Sequence, residues 1–187
     1  MTFASNSTFD VAFWFSDQAL NENEYLQPQK LHRLLYLSQG FYAIAYDGQK
    51  LMPAVFVAEE MGPIEPTLFQ AFANGRPDIE VELFLPSDVE LFLSSIWRRF
   101  GHLKTEQLSK LTTKNAAYAL ALRKGPGTEI LLDAMVATLK AETEKKAADP
   151  VRAPHPDARV LRTQHGSEVK VKSWAPGAAP GAAPGLK

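Results

Sequence analysis

The sequence predicts a mainly α-helical protein of the α+β class: a compact helical domain with a small two- or three-stranded antiparallel β-ribbon, followed by a disordered C-terminal tail. Apolar residues recur at three- and four-residue steps through most of the first 146 residues, and only two short segments favour strands. After Asp149–Pro150, proline and glycine recur and apolar residues become scarce. The predicted domains are therefore a folded domain at residues 1–148 and a flexible, basic, Pro/Gly/Ala-rich tail at residues 149–187.

Two helices are predicted at the start of the chain. Ser7 opens a capping signal, and the first helix is expected to run to about Asn21. A second and stronger helix follows Pro28 and ends at Asp47–Gly48, a pair that favours a turn. The residues expected in the core are Phe9, Ala12, Phe13 and Leu20 from the first helix and Leu31, Leu34, Leu35, Phe41, Tyr42 and Ala45 from the second.

The two strands are predicted on either side of a short helix. Val55–Val57 favours a strand, which Pro53 restricts to an edge or a strand start. Residues 62–66 read as a rigid turn, after which Pro66 begins a short helix closed by Gly75. Residues 79–85 alternate between apolar and acidic residues, which predicts a second strand that pairs with the first.

Further helices are predicted from capping signals. Residues 87–90 form a capping box, and the helix that follows is expected to stop at Gly101. A short helix is expected over residues 105–111, and Thr113 is predicted to cap an Ala- and Leu-rich helix that ends before Gly125. Thr128 is predicted to cap the last helix, which continues into the charged run at residues 142–146. In the tail, residues 160–161 and 169–174 are short patches that suit an added strand on this protein or on a partner.

The composition fits a globular protein that needs no covalent or metal cross-link. The chain is 45 % hydrophobic and 22 % charged and contains no cysteine. It has no long apolar run, and its first ten residues lack the features of a signal peptide, so a cytoplasmic location with no membrane partner is expected. The net charge is −1, divided between −4 up to residue 146 and +3 after it. A nucleic-acid partner is therefore not expected for the folded domain.

No sequence pattern predicts catalysis, a metal site or a cofactor. The histidines lack the spacing of metal ligands, and the Gly-Pro-Gly-Thr run at residues 125–128 suits a helix stop better than a phosphate loop, because Pro126 lacks an N–H donor. Glu59, Glu60 and Glu65 cluster around a turn, where they suit either a solvated, partner-binding turn or acid/base chemistry. The first alternative is the simpler one, and we expect that the protein is not an enzyme.

Polar aromatic residues follow one edge of the second helix. The series consists of Tyr36, Gln39, Tyr42 and Tyr46. These residues suit either the border of the core, with the hydroxyl groups in water, or a recognition surface, because tyrosine is enriched at interfaces.

Two motifs resemble those of the Panacea-domain antitoxin family. The first is Leu-His-Arg-Leu-Leu-Tyr-Leu-Ser-Gln-Gly-Phe at residues 31–41, and the second is Glu-Glu-Met-Gly-Pro-Ile-Glu-Pro-Thr-Leu-Phe at residues 59–69. They occur in the family's order and spacing, and the resemblance covers about residues 8–130. The chain departs from the family pattern at Leu37 and Phe41, and also over residues 111–118.

The resemblance implies a protein that binds and neutralises a protein toxin. Within the family the chain is most similar to SocA-like antitoxins, which are proteolytic adaptors that deliver a SocB-like toxin to the unfoldase ClpX of the ClpXP protease. The candidate protease contacts in the tail are Leu186 and Lys187. The candidate toxin-binding residues are Tyr36, Gln39, Tyr42, Glu59, Glu60, Pro63 and Glu65. A DNA-binding autorepressor of a toxin–antitoxin operon is the alternative function, and an enzyme acting through Glu59 is a third.

Overall fold

The computed structural model describes residues 3–77, 85–148, 159–162 and 168–171. It divides into two compact units, Met1–Glu144 and Lys145–Lys187. The helices are α1 (Thr8–Asn21), α2 (Pro28–Ala45), α3 (Pro66–Ala71), α4 (Ser87–Ile96), α5 (Thr105–Thr113), α6 (Ala116–Lys124) and α7 (Leu132–Ala148), with a π-helical turn at Trp97–Gly101. The strands are β1 (Val57–Glu59), β2 (Gly62–Ile64), β3 (Thr128–Glu129), β4 (Arg159–Arg162) and β5 (Glu168–Val171). The predicted mainly helical fold with a small antiparallel sheet is confirmed.

Helix α2 is the central helix of the first unit. It packs against α1, α4, α5, β2 and the π-helical turn, and every residue from Lys30 to Gly40 is buried. The predicted apolar face of α2 is therefore only part of what the fold covers. Ala45, expected in the core, is exposed, and Phe41 is half-buried against Phe100. Because α2 is buried around its whole circumference, its polar side chains must find partners inside the protein.

The first helix begins where the sequence predicts, but its buried face is different. The Ser7 side chain caps α1 by accepting a hydrogen bond from the Phe9 N–H. Leu20, expected in the core, is 57 % exposed. The buried stripe instead follows Val11, Phe15 and Ala19, which recur at four-residue steps and lie on a different side of the helix. Ala12 and Phe13 are buried as predicted, and Phe9 packs at the edge of the core.

The sheet has the strand order β2-β1-β3, and both pairs are antiparallel. Gly62–Ile64, predicted as a turn, forms β2, and the chain reverses one step earlier, at Glu60 and Met61. Strand β1 begins at Val57, the last residue of the predicted first strand. The difference arises because Gly and Pro favour turns, whereas an edge strand also tolerates Pro.

The second neighbour of β1 was not predicted. The expected partner, residues 79–85, lies almost wholly outside the described residues, and β3 at Thr128–Glu129 pairs with β1. Thr128 was expected to cap the last helix, but its hydroxyl donates to the Gly125 carbonyl, and α7 begins only at Leu132.

Two other predicted caps are also wrong, although the helices that follow them exist. Helix α4 starts at Ser87, but Pro86 is its cap residue and no side chain makes the capping hydrogen bond. Thr113 is the last residue of α5, where its hydroxyl donates to the Ser109 carbonyl. The Asn115 side chain caps α6 by accepting from the Ala117 N–H, because Asn115 is the residue in extended conformation directly before the helix.

The second unit contains a two-stranded antiparallel ribbon. Strand β4 pairs with β5, and Arg159 lies opposite Val171 in the register. Both strands overlap the patches predicted to form added strands, and here they pair with each other. The predicted disorder of the rest of the tail concerns residues outside those that the structure describes.

Candidate functional site

A buried arginine holds the β1–β2 hairpin against the central helix. Arg33 of α2 has almost no exposed surface. Its Nη1 donates to the Pro63 carbonyl at 2.8 Å, and its Nη2 donates to the Met61 carbonyl. Hydrogen bonds from a charged donor are stronger than neutral ones. The guanidinium of Arg33 therefore makes hydrogen bonds at the free edge of β2 of the kind that a neighbouring strand would otherwise make.

The close approach of Arg33 explains the glycine of the second motif. Gly62 has a φ of 117°, which L-amino acids with a side chain rarely adopt. A Cβ atom at this position would lie 2.5 Å from Cζ of Arg33. Both the backbone conformation and the space beside Arg33 therefore require glycine.

Three further hydrogen bonds connect the hairpin to its surroundings. The Tyr118 hydroxyl of α6 donates to the Glu59 carbonyl at 2.6 Å. The Glu65 N–H donates to Nδ1 of His32 at 3.3 Å, and the Glu65 carboxylate caps α3 by accepting from the Leu68 N–H at 2.7 Å. The second motif is thus fixed at its start by α6 and from Met61 to Glu65 by α2, and Glu65 itself caps α3.

Burial changes the proton affinity of the groups behind the hairpin. Burial, together with the neighbouring cation of Arg33, lowers the pKa of His32 to about 4. Burial also lowers the pKa of Arg33 to about 10 and raises that of Tyr118. At neutral pH His32 is therefore neutral and Arg33 is charged. Within the described residues, Nε2 of His32 and Nε of Arg33 are buried without a hydrogen-bond partner.

Of the four residues along the predicted edge of α2, Tyr36, Gln39 and Tyr42 are buried, whereas Tyr46 is 40 % exposed. Gln39 exchanges two hydrogen bonds of 3.2 Å with the backbone of Met52, and the Tyr36 ring packs edge-on against Phe56. Tyr42 stacks on the ring of Tyr46, with ring centroids 4.2 Å apart. The first motif therefore contributes these three side chains to the core, and their contact with a toxin stays a prediction.

The second motif is divided between the interior and the surface. Pro63 and Glu65 are buried, so their side chains are not part of the exposed surface, and their contact with a toxin stays a prediction. Glu60 is exposed and Glu59 is half-buried, so these two predicted contact residues are accessible. The predicted protease contacts, Leu186 and Lys187, lie outside the described residues.

An open groove lies beside the hairpin, where the Phe69 ring also packs against His32 and Gln29 donates to the Met61 sulfur at 3.7 Å. Its volume is about 440 Å³, within the range of ligand pockets. Two large apolar side chains in it are unusually accessible: Met61 is 54 % exposed and Phe69 is 41 % exposed. The residues that line it are Glu59, Glu60, Met61, Ile64, Phe69 and Pro126. We define this set as the hairpin groove and take it as the candidate binding site.

Another cleft, of about 520 Å³, lies between the end of α2 and the start of α7. Its charged residues are of both signs: Lys50 lies among Asp47, Glu129 and Asp133. The three carboxylates outnumber the lysine, so the net charge of this cleft is −2, the same as that of the hairpin groove. The hairpin groove differs in that, among the described residues that line it, the charged groups are all carboxylates.

Sequence reasoning missed the apolar part of the groove. Met61 and Phe69 lie within the second motif, but the patterns that predict turns and helices do not show which apolar residues stay exposed. The position of Met61 at a hairpin turn is the one available indication of its exposure, because few other residues can cover a side chain there. Pro126 reaches the groove from a distant loop, and no local pattern indicates that.

Two general findings concern only the part of the chain that the structure describes. No three His, Asp or Glu side chains there lie close enough together to hold a metal ion. None of its helices combines the length and the hydrophobicity that crossing a bilayer requires. Comparisons of the chain with sequence profiles of known protein families, with curated proteins and with solved structures find no match.

Proposed function

We propose that this protein is a cytoplasmic antitoxin that binds a protein toxin through the hairpin groove and delivers it to the ClpXP protease. It acts by binding and performs no chemistry of its own. The observation that carries the proposal is that the second family-like motif, residues 59–69, itself supplies five of the six residues that line the groove. A motif that both resembles an antitoxin motif and forms an apolar surface suits a binding role.

The composition of the groove supports recognition of a protein. Met61 is long, unbranched and adaptable, and side chains of this kind are used where a surface must fit a partner closely. Phe69 supplies a rigid aromatic face, and aromatic residues are enriched at interfaces. The bonds from Arg33 and Tyr118 hold the hairpin in place before binding, which lowers the entropy cost of association.

Growth rescue tests the antitoxin function. The product of the reading frame adjacent to this gene is expressed from an inducible promoter, with and without this protein. We expect growth arrest in its absence and growth in its presence, together with a complex of the two purified proteins. Growth arrest that co-expression does not relieve, with no complex formed, would remove the antitoxin assignment.

The adaptor function has a separate test in the tail. Its final residues include a Pro-Gly-Ala-Ala repeat that separates Leu186 and Lys187 from the rest of the chain. Deletion of residues 175–187 is expected to leave toxin binding unchanged and to slow toxin degradation by purified ClpXP. Degradation at the wild-type rate would show that these residues do not contact the protease.

A further inference from the structure

The hairpin groove has an apolar floor and an acidic rim. Met61 and Phe69 provide accessible apolar surface, and Glu59 and Glu60 provide two carboxylates next to it. An occupant must therefore bury an apolar side chain and place its polar neighbours close to two negative charges. The groove is large enough to admit an aromatic ring or a long aliphatic side chain.

The two carboxylates of the rim have no ionic partner in the described part of the chain. The ion pairs found there join Lys30 to Glu24 and Arg76 to Asp17. Arg33, the cation that contacts the hairpin, donates to the carbonyl oxygens of Met61 and Pro63. The charges of Glu59 and Glu60 are thus left to attract a cation from outside.

The backbone edge of the hairpin is closed to an added strand. Strand β2 is an edge strand, the kind to which a partner peptide commonly adds. Pro63 has no N–H to donate, and its carbonyl already accepts from Arg33. The Met61 carbonyl is occupied in the same way. A partner therefore cannot add a strand at this edge, and it must bind to the hairpin groove through its side chains.

We propose that the hairpin groove binds a partner segment that presents an aromatic or long aliphatic side chain with Lys or Arg directly beside it. The apolar side chain contacts Met61 and Phe69, and the cation pairs with Glu59 or Glu60. The inference rests on the proposed function, because it names the chemistry of the toxin segment that this site recognises. Nucleic acid is disfavoured here, since its phosphates would face the two carboxylates.

A pair of synthetic peptides tests this chemistry. One is a short peptide of Lys, Leu and Phe with a fluorescent label, and its twin has Glu in place of every Lys. We expect the Lys peptide to bind the full chain at least about tenfold more tightly than its twin, and more weakly as salt increases. The affinity is measured by fluorescence anisotropy at low and high ionic strength.

Matched variants assign the binding to the groove. The double substitution Glu59→Gln and Glu60→Gln is expected to weaken Lys-peptide binding about tenfold and to reduce its salt dependence. Met61→Ser should weaken it at either salt concentration. Glu90→Gln and Leu91→Ser alter exposed residues of α4, outside the groove, and should change nothing. Equal affinity for the two peptides, or an unchanged affinity after the double substitution, would overturn the proposal.

The peptide test and growth rescue fail independently. If the Lys peptide binds in the groove but co-expression does not relieve growth arrest, the antitoxin function is wrong and the groove chemistry stands. If growth is rescued but the peptides bind equally, the toxin is recognised by other chemistry and this inference is wrong.

Discussion

The two sides of the β1–β2 hairpin differ in almost every physical property. The inner side faces α2 and is closed: its carbonyl groups accept from Arg33, and His32 and Glu65 are hydrogen-bonded and buried. The outer side, which carries the hairpin groove, is open. It presents Met61 and Phe69, which also touch Gln29 and His32 of α2, beside two carboxylates that have no ionic partner among the described residues. Because the strands are three residues long, both sides are built from a single short segment of sequence.

Because of this difference, we expect the inner side of the hairpin to determine folding stability and the outer side to determine binding. The polar residues of the inner side are constrained by the fold, because a buried donor or acceptor that loses its partner is costly. The outer side is free to vary with the partner, because exposed side chains contribute little to folding. Substitutions on the inner side should therefore change the free energy of unfolding, and substitutions on the outer side should change binding.

The largest effect on stability is expected from Arg33→Leu. The substitution leaves the buried carbonyl of Pro63 and the partly buried carbonyl of Met61 without their donor, which should lower the free energy of unfolding by about 3 kcal/mol. Arg98→Leu is the control, since Arg98 is exposed, and it should cost less than about 0.5 kcal/mol. Urea unfolding measures both. Equal costs for the two variants would mean that Arg33 does not hold the hairpin.

A somewhat smaller loss, about 2 kcal/mol, is expected from Gly62→Ala. Its Cβ would collide with the guanidinium of Arg33, in addition to the strain of a positive φ. Gly48→Ala is the matched control, because Gly48 also has a positive φ, 86°, but has no atom within 4 Å of the new Cβ. That variant should lose only about 1 kcal/mol. If both variants unfold at the same urea concentration, the contact with Arg33 has no energetic weight.

The buried His32 should make stability depend on pH. Its pKa is about 4 in the folded protein and 6.5 when unfolded, so the unfolded chain binds the extra proton as the pH falls between these values. Stability should therefore decrease by about 2 kcal/mol from pH 7.5 to pH 5, from this residue alone. The loss should be smaller by that amount in His32→Gln. His102→Gln, at an exposed site, should keep the wild-type dependence, and an identical profile for all three proteins would contradict the assignment.

The smallest effect on stability is expected from Met61→Ser on the outer side. Met61 is 54 % exposed in the folded protein, so the free energy of unfolding should change by less than about 0.5 kcal/mol. A loss as large as that of Gly62→Ala would show that Met61 belongs to the core, and the distinction between the two sides would fail.

Local patterns predicted the elements of this fold better than their contacts. The start of α2 at Pro28 and the end of α6 before Gly125 follow from single residues, and both were predicted correctly. The pairing of β1 with Thr128–Glu129 joins segments about seventy residues apart, and no local pattern carries that information. The sequence indicated a second strand but not that this distant segment would provide one.

The candidate site shows the same division. Glu59 and Glu60 were identified because charged residues at a turn usually remain in water, and both are accessible. Tyr36 and Gln39 were misplaced because a helix buried on all sides has no exposed edge, and only the packing of α1, α4 and α5 around α2 reveals that. Polar residues on such a helix are fold determinants, although on a surface helix the same residues would be binding candidates.

The measurement that tests the central claim most directly is the affinity of the toxin for a groove variant, Met61→Ser with Phe69→Ser, compared with Leu91→Ser. Leu91 is 73 % exposed and lies outside the groove, so it controls for the general loss of an exposed apolar side chain. With folding verified by circular dichroism, we expect the groove variant to bind about a hundredfold more weakly and Leu91→Ser to bind like the wild type. Wild-type affinity in the groove variant would contradict the claim that the outer side of the hairpin binds the toxin.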